Sequence, residues 1–131
     1  MEDGVILVIA PNEDGRKFVN QLIYSKKSFA VLTNSRTEEL DYLKMGAKHV
    51  VRIDTSMTRK WIVPQVAVGR IYIFESSLNL SCRYLQICRP WTTHEIYIIT
   101  RYSSPRGVYR GMGANHVIYT KNGDVGFLLD K

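Results

Sequence analysis

Short apolar runs alternate with helically patterned stretches along the whole of the 131-residue chain, and this alternation constrains its fold more than any other feature. Val5-Ile6-Leu7-Val8-Ile9 is a continuous β-branched run bounded by Gly4 and by Ala10-Pro11-Asn12, the pattern of a strand covered on both faces. From Gly15 to about Lys26, Phe18, Val19, Leu22 and Ile23 recur at helical spacing, with Arg16, Lys17, Asn20 and Lys26 on the other side. Phe29 to Thr33 predicts a second strand. Asn34-Ser35-Arg36-Thr37 then leads into a helix from Glu38 to Met45, with Thr37 as its N-cap and Gly46 as a left-handed terminator.

His49 to Ile53 predicts a third strand. The turn-like Asp54-Thr55-Ser56 follows, then a weakly patterned stretch through Trp61 to Val68 in which Pro64 keeps any helix short. Arg70 to Phe74 reads as a fourth strand. Ser77 to Arg89 reads as a helix that turns Leu78, Cys82, Leu85 and Cys88 inward and stops at Pro90. Glu95 to Thr100 gives a fifth strand, about Pro105 to Met112 a short helix closed by Gly113, and His116 to Tyr119 a sixth strand. Strands alternating with helices through short connections predict an α/β fold: a doubly wound, mainly parallel six-stranded sheet of Rossmann type, with helices on both faces. A chain of 131 residues can bury one such core, so residues 1–131 are expected to form one domain.

An internal echo supports the phasing. Tyr42, Met45, Gly46, Ala47, His49 and Val50 match Tyr109, Met112, Gly113, Ala114, His116 and Val117 at a constant offset. A Tyr- and Met-packed helix, a glycine cap and a small residue entering a buried strand form one solution used twice, as two mononucleotide-type halves require.

Ligand chemistry is expected at the carboxyl ends of the strands. A phosphate-binding turn after the first strand needs glycines so that backbone amides can approach the anion at the positive end of the next helix. Here Ala10, Asn12 and Gly15 occupy the three G-x-G-x-x-G positions, so one glycine remains, and Glu13 and Asp14 place negative charge beside the phosphate position. Two readings of this turn stand: a nucleotide site, or a turn that only keeps the fold. After the second strand, Thr33 stands where an acidic ribose ligand serves NAD. Asn34, Ser35 and Arg36 there suit a ribose 2′-phosphate, or merely begin a surface helix. Asp54 and Thr55 after the third strand, Glu75 after the fourth, and Asn79 one turn into the next helix fall on the same rim.

Several classes are disfavoured. His49, His94 and His116 carry no metal-ligand spacing, and no nucleophile elbow or P-loop is present, so neither a metal nor catalysis is expected. The net charge of +6 comes from scattered basic residues rather than a block, the pattern of a basic surface, and no nucleic-acid partner is expected. No run of about 18 apolar residues occurs, so no membrane insertion is expected. The acidic opening Met1-Glu2-Asp3 lacks the marks of a signal peptide and predicts a cytoplasmic location. Cys82 and Cys88, on different faces of one helix, read as buried thiols. The eight tyrosines read as core or interface packing.

With its elements placed, the sequence resembles the N-terminal domain of RCK proteins, the Trk/Ktr-type regulators of potassium conductance (TrkA-N domains). The likeness spans nearly the whole chain. It is carried by Val50-Val51-Arg52-Ile53-Asp54-Thr55, by Arg70-Ile71-Tyr72-Ile73-Phe74 through Asn79 to Arg89, by Gly113-Ala114-Asn115-His116-Val117-Ile118, and by the tail Lys121 to Phe127. The stretch Leu43 to Val50 is also similar to medium-chain quinone reductases. The RCK resemblance implies a regulatory domain that binds NAD(P)(H), ATP/ADP or a related nucleotide and reports it, through a homodimer, to a membrane potassium channel or transporter. It implies phosphate contacts at Ala10, Asn12 and Gly15, a ribose position at Thr33, and later contacts at Asp54 and Glu75. Two family glycines and the acidic ribose ligand are missing. The alternatives are an NADP-dependent quinone-reductase-type domain, which Ser35 and Arg36 favour, and a ligand-free scaffold for protein association, which the acidic first turn favours.

Overall fold

The computed structural model describes residues 4–53, 67–102 and 106–130. Six strands, β1 (Val5–Ile9), β2 (Phe29–Thr33), β3 (Val50–Arg52), β4 (Val68–Phe74), β5 (Ile96–Thr100) and β6 (His116–Tyr119), form one sheet in the order β3-β2-β1-β4-β5-β6. Every pairing is parallel. Parallel neighbours need crossovers, and α1 (Glu13–Ser25), α2 (Arg36–Met45), α3 (Leu78–Cys88) and α4 (Arg106–Gly111) supply four. The fifth, from β3 to β4, runs mostly outside the described residues, and the weakly patterned stretch around Pro64 lies there.

The inner strands β1, β2 and β5 are almost wholly apolar because both faces of the sheet are covered there, whereas the edge strands β3 and β6 are partly exposed. Successive residues of β1 point to opposite sides. Ile6 and Val8 pack with Phe18, Val19 and Leu22 of α1 and Tyr42 of α2, whereas Leu7 and Ile9 pack with Tyr84, Leu85 and Ile87 of α3 and Tyr109 of α4. Fully burying each such side chain contributes about 1.5–3 kcal/mol. Since α1 and α2 cover one face and α3 and α4 the other, the winding reverses between the neighbouring strands β1 and β4. The tail completes the first face, with Val125, Leu128 and Leu129 buried there.

Both exits of the internal echo are built alike. Gly46 and Gly113 share φ 112°, a conformation that costs a glycine little, and the amides of Ala47 and Ala114 donate to the carbonyls of Tyr42 and Tyr109, each at 3.1 Å. Both tyrosines are fully buried.

Local chemistry moved two helix starts and the inward face of α3. Asn12 caps α1, so the helix begins at Glu13, ahead of Gly15. Ser35, not Thr37, caps α2, because its hydroxyl accepts the Glu38 amide at 3.2 Å. Leu78 is exposed, while Ser81, Tyr84 and Ile87 join Leu85 and Cys88 in the buried stripe; the first turn of α3 sits at the rim rather than over the sheet. Cys82 and Cys88 are both free; Cys88 is buried as expected but Cys82 is only half-buried at the edge of the stripe, and burial pushes each thiol up. Five tyrosines are in the core, but Tyr24, Tyr102 and Tyr119 are exposed.

Candidate functional site

Open α/β sheets hold ligands at the carboxyl ends of the strands where winding reverses, here beyond β1 and β4. Asn12 spans that point. Its Oδ1 accepts the Gly15 amide at 2.9 Å, capping α1, and its Nδ2 donates to the Glu75 carbonyl at 2.7 Å, tying the turn after β1 to the turn after β4. Gly15 lets α1 approach the sheet: a Cβ there would stand 2.4 Å from the Cβ of buried Ala10. The last glycine of the motif thus keeps its packing role.

The acidic first turn differs from its sequence expectation. Glu13 is exposed, but Asp14 is buried and held by Arg101, whose Nε and Nη2 donate to its two carboxylate oxygens at 2.8 Å each. Hydrogen bonding and charge from Arg101 hold the Asp14 carboxyl below its ordinary range despite burial. Its charge is therefore cancelled at the helix start. The third donor of Arg101, Nη1, reaches the Lys121 carbonyl at 3.0 Å and ties in the tail.

Beyond β2, the buried Thr33 hydroxyl donates to Glu38 Oε1 at 2.8 Å and accepts the Ser35 amide at 3.1 Å. Together with the Ser35 cap, this is a capping box in which Thr33 relays the carboxylate. Tyr84 hydrogen-bonds the backbone of Asn34, and Arg36 is exposed in the first turn of α2. Beyond β4, half-buried Glu75 accepts from the Thr100 hydroxyl at 2.6 Å through Oε1 and from the Tyr109 hydroxyl through Oε2. Burial and the Glu75 carboxylate push Tyr109 up, so it stays a donor. The other repeat tyrosine, Tyr42, donates to the Ala10 carbonyl. Each half of the fold therefore braces the residue after its first strand with a buried tyrosine.

Compared by sequence, the chain matches no protein-family model and no curated protein. Its backbone does match solved structures. One is the TrkA-N domain of the inner membrane protein YbaL from Escherichia coli, at TM-score 0.69 and 14% identity, over 96% of this chain and 94% of that one. Another is the NAD(P)-binding domain of an exopolyphosphatase-related protein from Archaeoglobus fulgidus, at TM-score 0.71 and 17% identity, over 97% and 96%. A third is the GsuK channel bound to NAD, at TM-score 0.68 and 18% identity, where 88% of this chain spans 21% of the channel chain. The chain has the fold of the TrkA-N and RCK Rossmann domains.

Within this TrkA-N-type fold, Ala10, Asn12, Gly15 and Glu75 converge at the switch point, and Thr33, Asn34, Ser35 and Arg36 build the start of α2. Asn79 is exposed in the first turn of α3, and Asp54 and Thr55 lie outside the described residues. His49, His94 and His116 lie at the amino ends of β3, β5 and β6, on the opposite rim, where His116 stacks on Tyr97 and meets Glu95 at 3.0 Å. Among the described residues no His, Cys, Asp and Glu cluster could hold a metal, and no helix is long and apolar enough to cross a membrane. Sequence reasoning missed Arg101, Thr100 and Glu38. An arginine directly after β5, on the rim facing two acids, was the available signal for the first. The echo marked Tyr42 and Tyr109 as packing, without revealing that their hydroxyls brace the rim.

Proposed function

We propose that the chain is a nucleotide-binding regulatory domain without catalysis of its own, cytoplasmic and homodimeric, that reports NAD(P)(H) or adenine nucleotide to a membrane potassium channel or transporter. The observation that carries this reading is the switch point itself: an Asn12-capped helix start whose Asp14 charge Arg101 cancels, facing the end of β4. A helix start freed of that charge suits a phosphate. The likeness to YbaL and GsuK supports the regulatory half, since GsuK is a channel solved with NAD. In this reading Ala10, Asn12 and Gly15 meet the phosphates. Thr33 to Arg36 face the ribose end, and Glu75, Asn79, Asp54 and Thr55 line the remainder.

Thermal melts with NADPH, NADH, ATP and ADP test it. A ligand held at a hundred times its Kd adds about 2.7 kcal/mol to stability and raises Tm accordingly. If Ser35 and Arg36 read a 2′-phosphate, Arg36→Glu removes the NADPH shift and leaves that of NADH. Failure of every nucleotide to move Tm overturns the proposal. It leaves the second reading, a scaffold for protein association, which the internal engagement of the Thr33, Ser35 and Glu75 side chains favours.

A further inference from the structure

We infer that Asn12 is a strap that sets the ligand class of the switch point, admitting a nucleoside mono- or diphosphate and turning away a dinucleotide. The inference rests on the nucleotide reading above and narrows it. A dinucleotide lies across both halves of such a fold, so the nucleoside beyond its pyrophosphate must pass from the turn after β1 toward the end of β4. Glycine at the second motif position opens that passage. Here the position is Asn12, and its side-chain amide bridges the start of α1 and the residue after β4.

Neither anchor of the strap yields easily. Oδ1 is fixed by the Gly15 amide at the start of α1, and Gly15 is itself wedged against Ala10. Nδ2 ends on the Glu75 carbonyl, and Glu75 is held on three more sides: its amide donates to the Ile99 carbonyl at 2.9 Å, and its carboxylate takes the Thr100 and Tyr109 hydroxyls. A dinucleotide must therefore break the Asn12 to Glu75 bond or thread beneath it. A terminal phosphate remains on the α1 side and crosses nothing.

Calorimetric titration of the full chain with AMP, ADP and NAD tests this, with Asn12→Ser as the variant. Serine still caps α1 but is too short to reach Glu75, and a circular-dichroism melt confirms folding. The wild type is expected to bind ADP or AMP about tenfold more tightly than NAD, and Asn12→Ser to bring NAD to within about threefold of ADP. Should NAD match ADP on the wild type, or the ratio be the same in Asn12→Ser, the strap is overturned while the nucleotide reading survives. If the wild type binds none of the three, the strap is overturned, and the melts with NADPH and ATP decide the nucleotide reading separately.

Discussion

Arg101 grips Asp14 with two parallel hydrogen bonds of 2.8 Å each, joining the end of β5 to the first turn of α1 across 87 positions of sequence. The pair cancels one of the two negative charges of the acidic turn, that of Asp14, and the Nη1 bond of Arg101 to Lys121 ties in the tail.

The pair predicts an acid dependence of definite sign. The folded Asp14 carboxyl is held below its unfolded value, so its stabilisation is present above the ordinary carboxylate range and is lost as pH falls through the depressed value. Arg101→Gln leaves a buried carboxylate without its cation. Melts between about pH 2 and pH 7 are expected to show a lower neutral Tm for the variant and a gap from wild type that narrows as pH falls, because protonation relieves the unpaired buried carboxylate in the variant but dissolves the ion pair in wild type. Superimposable acid limbs would refute the role given to Arg101.

Gly15→Ala forces a methyl against Ala10 and is expected to cost about 1–3 kcal/mol in urea unfolding. Gly107, in α4, has nothing within 4 Å of a built Cβ, so Gly107→Ala is expected to stabilise by about 0.4–1 kcal/mol. Equal effects at the two sites would contradict the close approach of α1 to β1.

At the alkaline end, burial is the main force pushing Tyr42 and Tyr97 up, both to about 12. Raised folded values mean stability is full below about pH 10, the unfolded value, and is lost as pH climbs toward about 12. Tyr42→Phe also removes the bond to the Ala10 carbonyl, costing about 1 kcal/mol at neutral pH, and flattens the alkaline fall. A variant that melts identically to wild type across that range would show the phenol to be idle.

The start of α2 depends on Ser35, Thr33 and Glu38 acting together. Ser35→Ala is expected to cost about 1 kcal/mol through the lost cap, and Thr33→Val about 1 kcal/mol through the two bonds of its hydroxyl. Because the residues share partners, the double variant should cost less than the two single losses combined, which chemical denaturation reads directly. Strict additivity would argue against a coupled cap.

The regular elements were legible because their signals are local. Five successive buried residues in each of β2 and β5 leave a continuous apolar mark, and the Tyr42-to-Gly46 exit, repeated at Tyr109-to-Gly113, announces a helix end each time it occurs. Boundaries shifted where capping competed with pattern, as at Asn12 and Ser35. The candidate site was half legible: strand ends located Ala10, Asn12, Thr33 and Glu75, but not what their side chains hold.

The amino-acid sequence alone determined the alternation of elements, the apolar faces and the two glycine exits, since backbone periodicity and left-handed turns depend on near neighbours. Only the tertiary structure decided that Asp14 is neutralised by Arg101 and that Asn12 ties itself to Glu75, 63 positions away. Such partners meet only after parallel crossovers have fixed the strand order, and hydrogen-bond geometry between distant residues leaves no periodic trace in the chain.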